Sequence, residues 1–368
     1  MSTLTANQAN TRLVSLDFFR GLIMVLLAFE GCGLYYNLSE ATKGTAVHSI
    51  VQQFFHHPWH GLRFWDLVQP SFMFMAGTAM ALSLHRQEQQ GIAWSQSFKK
   101  ALKRSFWLFF WGVLNYAVEG NELHWAFSNV LTQLSFTTLV AFLIFRWSFF
   151  SQLLVCLGFL LLREALYRFT HIEGFDQPFV NQHNFGNYVE LKWTGRINPE
   201  GWVSLNFIPT AVHTIAGAMA GKLLLSNKEK IKPLVLWGAV VFVIGYALDL
   251  SGEVPIIKRI ATTSFTLVSL GWVLWFLALI YWWIDLQNHR KGLQFFLVIG
   301  MNSLFIYLFF EIVGSRWFNE YVGALSNGLL SWLHVPQPPE YIIISLIIFA
   351  LEWGLCYFLY RKKIFIKV

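Results

Sequence analysis

Thr263-SFTLVSLGWVLWFLALIYWW-Ile284 carries no charged residue. At about 1.5 Å of rise per residue it is long enough to cross the hydrocarbon core of a bilayer, about 30 Å thick, as one α-helix. Similar apolar runs recur at 16–37, 64–84, 105–118, 127–145, 148–167, 204–224, 233–250, 293–313 and 341–360. The expected fold is therefore all-α: a polytopic membrane helix bundle of about ten transmembrane helices, forming a single domain over 1–368. Composition agrees, since 55% of the chain is hydrophobic and only 13% is charged, against about 25% charge in soluble domains. The 17 Trp and 36 Phe suit interfacial belts and lipid-facing surface. No inverted repeat, low-complexity tract or domain boundary is evident.

The net charge of +7 would suggest nucleic acid in a soluble protein. Here its distribution reads as topology. Arg86, Lys99, Lys100, Lys103 and Arg104, then Lys222, Lys228, Lys230 and Lys232, then Arg361, Lys362, Lys363 and Lys367, fall at the ends that share a side with Arg12 and Arg20. Fewer basic residues lie opposite, among them Lys43, Arg63, Arg168, Lys258 and Arg259. Both termini are thus expected in the cytoplasm, with membrane lipids as surroundings and no nucleic-acid partner. The polar start, Met1 to Thr11, does not read as a cleaved signal peptide. Cys32, Cys156 and Cys356 sit in apolar spans without metal-ligand spacing; they read as small hydrophobes, and no metal is expected.

Between the first two apolar runs stands Phe55-His-His-Pro-Trp-His-Gly-Leu-Arg-Phe-Trp-Asp66, on the outer side in this topology. Histidine takes and gives protons near neutral pH, so this cluster at the lip of an apolar bundle points to acid–base or acyl chemistry at a membrane face. His56 is the leading candidate; its bland reading is an interfacial histidine satisfied by a carbonyl. Pro58 restricts His57 to extended backbone, so the stretch is a shaped turn. Asp66 has two readings, a carboxylate orienting an imidazole or a helix cap. Glu30 lies about 20 Å along the first helix from Asp17, and a carboxylate in the outer bilayer usually faces a cavity or a partner. Gly31 and Gly33 beside it permit close approach or local unwinding. Trp59, His60, Arg63 and Glu311 are candidate acceptor contacts. Asn302 and Ser303 either join helices or donate to an acyl oxygen. Lys103 and Arg104 either determine topology or hold phosphates. The long outer segment 168–203 reads as a lid or binding loop. These residues alone leave an enzyme and a proton-coupled transporter or flippase of glycan or lipid-linked sugar both open.

Several stretches resemble one family of transmembrane acyltransferases, the heparan-alpha-glucosaminide N-acetyltransferases. They are Arg12-LVSLDFFR-Gly21, His56-x-x-Trp59-x-Gly61-Leu62, Asp66-LV-x-Pro70-x-Phe72-x-Phe74 with Gly77, Asn198-Pro-Glu-Gly201, Ala220-Gly-Lys222, Gly300-Met-Asn-Ser303 with Glu311, and Tyr360-RKKIFI-Lys367. They run collinearly from about residue 12 to 368, and the chain looks closer to the family's short bacterial members. The resemblance implies a multi-pass protein of a bacterial inner membrane that moves an acetyl group from cytosolic acetyl-CoA to a sugar amine or glycan on the far side. A homodimer is one assembly open to it. The resemblance places the family's catalytic histidine on His56, as general base or acyl carrier, with Glu30 or Asp66 setting its tautomer. Glu30 stands where the family has Asn. Arg104 matches a family arginine, while Thr132 and Gln133 replace a Gln-Arg pair.

Overall fold

The computed structural model describes residues 13–120 and 125–366; Arg12 and Lys367 lie outside that range. The helices, in chain order, are α1 (Val14–Gly31), α2 (Leu34–Thr42), α3 (Ala46–Val51), α4 (Val68–Gln89), α5 (Trp94–Gly120), α6 (Val130–Leu143), α7 (Phe149–Phe169), α8 (Phe185–Thr194), α9 (Phe207–Leu225), α10 (Ile231–Leu250), α11 (Thr263–Tyr281), α12 (Gln294–Met301), α13 (Ser303–Leu308), α14 (Asn319–Trp332) and α15 (Pro339–Arg361). Among the described residues there is no strand, only an isolated antiparallel bridge between His60 and Ile257.

Six of these helices are long and apolar enough to cross a membrane, or up to eight spans if each of two bent pairs counts as one. That is fewer than the ten runs in the sequence. The run at 105–118 lies within α5, whose 27 residues include Lys99, Lys100, Lys103 and Arg104. The run at 127–145 becomes α6, whose 14 residues reach about 21 Å, short of the hydrocarbon thickness. Two other runs are broken. α1 and α2 meet at 64°, and Gly33 adopts φ +74°, a left-handed conformation that glycine accommodates without strain. α12 and the helical stretch after Asn302 meet at 75°.

The bundle closes on small residues. A Cβ on Gly77 would overlap the Thr214 carbonyl, and one on Gly217 would overlap the Phe74 carbonyl, so α4 and α9 touch backbone to backbone. Thr78 Oγ1 donates to the Gly217 carbonyl across the same contact at 3.0 Å. Gly21 and Gly300 bring α1 against α12 in the same way. The apolar window of α4 is 78% buried, whereas those of α7 and α10 are 22% and 17% buried, which puts α4 at the centre and α7 and α10 at the lipid-facing rim.

At one end of this core, two connecting segments are tied together. Gly61 N–H donates to the Ile256 carbonyl at 2.8 Å, and His60 Nε2 meets Asp249 Oδ1 at 2.8 Å. Part of 168–203 packs over them, where Trp59 Nε1 donates to the Phe179 carbonyl at 2.8 Å.

Candidate active site

Asp66 organises the site. It lies in the 3-10 turn Phe64–Leu67 that leads into α4, and it is fully buried. Its Oδ2 accepts the backbone N–H of Arg63 at 2.9 Å and of His57 at 3.2 Å. Its Oδ1 lies 3.0 Å from His56 Nδ1. The carboxylate closes the turn with one oxygen and meets the imidazole with the other. Arg63 Nη1 donates to the His56 carbonyl at 3.1 Å and steadies the same segment. Gly61, at φ +138°, leaves room for the His57 ring, which a Cβ there would strike.

Lys258 completes the cluster from the connection between α10 and α11. Its Nζ is 3.1 Å from His56 Nδ1 and 3.6 Å from Asp66 Oδ1. Thr262 holds this connection: its Oγ1 caps α11 by accepting Phe265 N–H and also accepts Ile257 N–H. Ala261 at φ +40° turns the chain back onto the Lys258 carbonyl. The next residue, Arg259, pairs with Glu200, with Nη2 3.7 Å from Oε2. Trp202, whose Nε1 donates to Glu200, sets its ring centroid 5.2 Å from that of His56.

Burial, together with the Lys258 cation, draws His56 down to about 4, Asp66 opposing. The ring is therefore neutral at physiological pH. Burial also draws Lys258 down to about 8, although Asp66 and Glu30 favour its charged form. Burial and then the Arg63 charge lower His57 as well. Among the described residues, no hydrogen bond reaches His56 Nε2.

His56 and Lys258 border a cavity of about 640 Å³. Glu30, Glu311, Trp202 and Glu200 share its wall; Gln69, Asn115, Ser128 and Asn129 supply further neutral polar groups, and Leu27, Phe72 and Leu131 apolar surface. Such a mixture suits a ligand with an apolar arm and several hydroxyl or amide groups. Gln69 Nε2 donates to Gln133 Oε1 at 2.8 Å, which steadies that wall.

This chain is similar to heparan-alpha-glucosaminide N-acetyltransferase. The relative from Mus musculus is 24% identical over 99% of this chain and 62% of its own length; that from Homo sapiens is 24% identical over 97% and 60%. The chain thus spans about three-fifths of the curated relatives it matches. No protein-family model matches it.

Of the residues singled out by sequence, the structure gathers His56, Asp66, Glu30 and Glu311 at or beside one cavity, with Arg63 bracing His56 from behind. Trp59 and His60 are engaged outside its wall, with Phe179 and Asp249. Asn302 sits at the break after α12, where Nδ2 donates to the Ile364 carbonyl and Oδ1 accepts Ile366 N–H, so its amide fastens the C-terminal segment. Neither Asn302 nor Ser303 borders the cavity. Arg104, in α5, lies close enough to Arg20 of α1 for their charges to repel, while Lys103 is exposed. From Arg104 to Asn115, the α5 residue on the cavity, is about 16 Å along the helix. Lys258, Trp202 and Glu200 were not singled out as site residues. The available signal for Lys258 was its place on the side that the charge bias leaves poor in cations.

Proposed function

We propose that this protein is a membrane-embedded N-acetyltransferase that moves an acetyl group from acetyl-CoA to the amine of a glucosamine-type sugar. The supporting observation is the His56 ring held between a fixed carboxylate and a buried cation on a cavity lined with polar groups. The full-chain similarity to enzymes named for acetyl transfer to a glucosaminide supports the same reading.

In this proposal the thioester and the amine meet at His56. The amine nitrogen attacks the carbonyl carbon, His56 Nε2 takes the N–H proton, the C–S bond breaks, and the proton passes to the departing sulfur. Asp66 holds Nδ1–H and stabilises the imidazolium that forms. A two-step variant in which His56 itself carries the acetyl group uses the same geometry. The CoA phosphates would lie near Arg104 and Arg20, with the pantetheine arm running towards Asn115. We place both termini in the cytoplasm, ten helical crossings in a bacterial inner membrane, and the sugar or glycan entering from the far side. A homodimer is compatible with this arrangement.

The decisive experiment incubates detergent-purified protein with isotope-labelled acetyl-CoA and glucosamine and follows the sugar by mass spectrometry. A labelled N-acetyl product is expected; no product across amino sugars, with no thermal stabilisation by CoA, would reject the enzyme. The two bent helix pairs favour a second reading, an ion-coupled transporter or flippase of glycan or lipid-linked sugar, since discontinuous helices recur in transporters. Uptake of labelled sugar into vesicles without acetylation would select it.

A further inference from the structure

The acyl-transfer reading, on which this inference rests, needs an unprotonated ring nitrogen facing the ligand. Two groups compete for the other nitrogen. Asp66 Oδ1 lies 3.0 Å from His56 Nδ1, and Lys258 Nζ lies 3.1 Å from the same atom. A carboxylate can only accept, so its bond requires Nδ1–H and leaves Nε2 bare. An ammonium can only donate, so its bond requires a bare Nδ1 and leaves the proton of a neutral ring on Nε2. Both bonds cannot form together on a neutral imidazole. Lys258 Nζ is also 3.6 Å from Asp66 Oδ1, so cation and carboxylate can attract each other in either case.

We infer that Lys258 is a positioning residue that selects the tautomer of His56. Bonded to Nδ1, its ammonium keeps the ring as Nε2–H, which cannot act as a base. Drawn towards an oxygen of the bound acyl donor, it yields Nδ1 to Asp66 and the ring presents a bare Nε2. The ring stays neutral: one proton leaves Nε2 and one reaches Nδ1, exchanged with cavity solvent, to which the 32%-exposed His56 side chain is open. Lys258 and His56 both border the cavity, so a ligand bound there can reach both.

The groups facing Lys258 are Glu30 from α1, His56 and Asp66 from the segment before α4, its neighbour Arg259, and the Trp202 ring with its centroid 5.7 Å from Nζ. With Lys258 drawn to about 8, a second route exists: as a neutral amine it can accept Nδ1–H and so favours the productive tautomer. His56, held as Nε2–H below that pH, should thus turn to Nδ1–H above it in the ligand-free protein.

The test uses the full chain in detergent with ¹⁵N-labelled histidine, whose ring-nitrogen resonances report the tautomer; His56→Asn identifies the signal. The expected wild-type result is Nε2–H at neutral pH, turning to Nδ1–H either above about pH 8 or on adding acetyl-CoA. Lys258→Met should hold Nδ1–H throughout. Lys258→Arg, which keeps its charge at every accessible pH, should hold Nε2–H in the ligand-free protein at each of them, with no alkaline turn to Nδ1–H. Nδ1–H in ligand-free wild type at neutral pH would overturn the inference, as would Nε2–H in Lys258→Met. Should Lys258→Met not fold, the wild-type titration and Lys258→Arg decide alone. A response to pH without one to acetyl-CoA supports tautomer selection while removing acetyl-CoA as the donor.

Discussion

Replacing Asp66 by Asn changes one atom and tests the whole cluster. The Asn oxygen keeps the place of Oδ2, because two backbone N–H groups point at it from 2.9 and 3.2 Å. The new amide NH₂ must then face His56 Nδ1 and the Lys258 ammonium. It donates to Nδ1 and so leaves the ring proton on Nε2, the tautomer that cannot take a proton from the amine. In a Ser-His-Asp triad the corresponding change lowers kcat about 10⁴-fold; transfer here should fall by a factor between about 10² and 10⁴. Stability falls as well. At 3.6 Å, with an effective dielectric of about 20, the lost attraction to Lys258 is about 5 kcal/mol, in keeping with about 3–5 kcal/mol for breaking one side of a buried pair. The double variant Asp66→Asn/Lys258→Met removes the stranded cation and should recover part of the stability and little of the activity. The assays are product formation from labelled acetyl-CoA and thermal unfolding in detergent, in parallel. If Asp66→Asn melts like the parent and transfers at the parental rate, the carboxylate neither orients His56 nor balances Lys258, and the reasoning fails.

His56→Ala should lower transfer by a factor of about 10² to 10⁴ while thermal unfolding changes little; parental activity would remove His56 from the chemistry. Because His56 is drawn to about 4, the base is lost only as pH falls through that value, and the acid limb of the rate profile should lie near 4; a limb near 6.5, the ordinary value, would mean that the ring is not desolvated. Gly217→Ala puts a methyl group onto the Phe74 carbonyl and forces α4 from α9, so a loss of about 1–3 kcal/mol is expected in thermal unfolding, and none would be seen if the helices were not in contact. Arg104→Ala should raise KM for acetyl-CoA about tenfold with kcat little changed; an unaltered KM would place the phosphates elsewhere. Asn319→Leu removes the donor that meets the Gly31 carbonyl at 2.8 Å and should cost about 1–2 kcal/mol; an unchanged melting curve would mean that another donor serves that carbonyl.

What was legible in the sequence was local. His56 and Asp66 are ten residues apart, and Pro58 and Gly61 mark the turn between them. Gly31 and Gly33 announced the bend after α1. Lys258 was not legible as a partner, because it is 202 residues from His56 and only the tertiary fold brings the two connections together, through contacts such as Gly61 N–H to the Ile256 carbonyl. Counted by charge bias alone, it was one of several outer cations. Ten apolar runs stand beside six to eight candidate spans among the described residues, because hydropathy measures length along the chain and a span is counted by continuous helix. α6 begins at its Asn129 cap and ends after 14 residues, and the surplus apolar residues become its flanking segments. Asn302 shows the opposite difficulty. A polar residue at a helix break looks like a site, yet here the amide answers the backbone of the chain's own C-terminal segment.

The arrangement divides the cavity into two kinds of wall. Asp66 stands in the turn entering α4, the most deeply buried candidate span, and Lys258 is held by the cap of α11, whose candidate span is 61% buried. These supports fix the backbone that carries His56, Asp66 and Lys258 to the contacts of the core, so that the exchange of tautomers asks only the Lys258 side chain to move. Glu30 and Glu311 come instead from the two bent helix pairs, where helical hydrogen bonding is interrupted and side chains such as Asn319 stand in for it. Change of shape is easiest where the backbone is already broken. A ligand arriving along α5 would therefore meet a fixed reaction centre on the side of α4 and α11, and an adjustable carboxylate wall on the side of α1 and the helical stretch Phe309–Phe318 after α13, which carries Glu311. In the proposed acetyl transfer, that asymmetry would let the wall respond to each substrate in turn without moving His56.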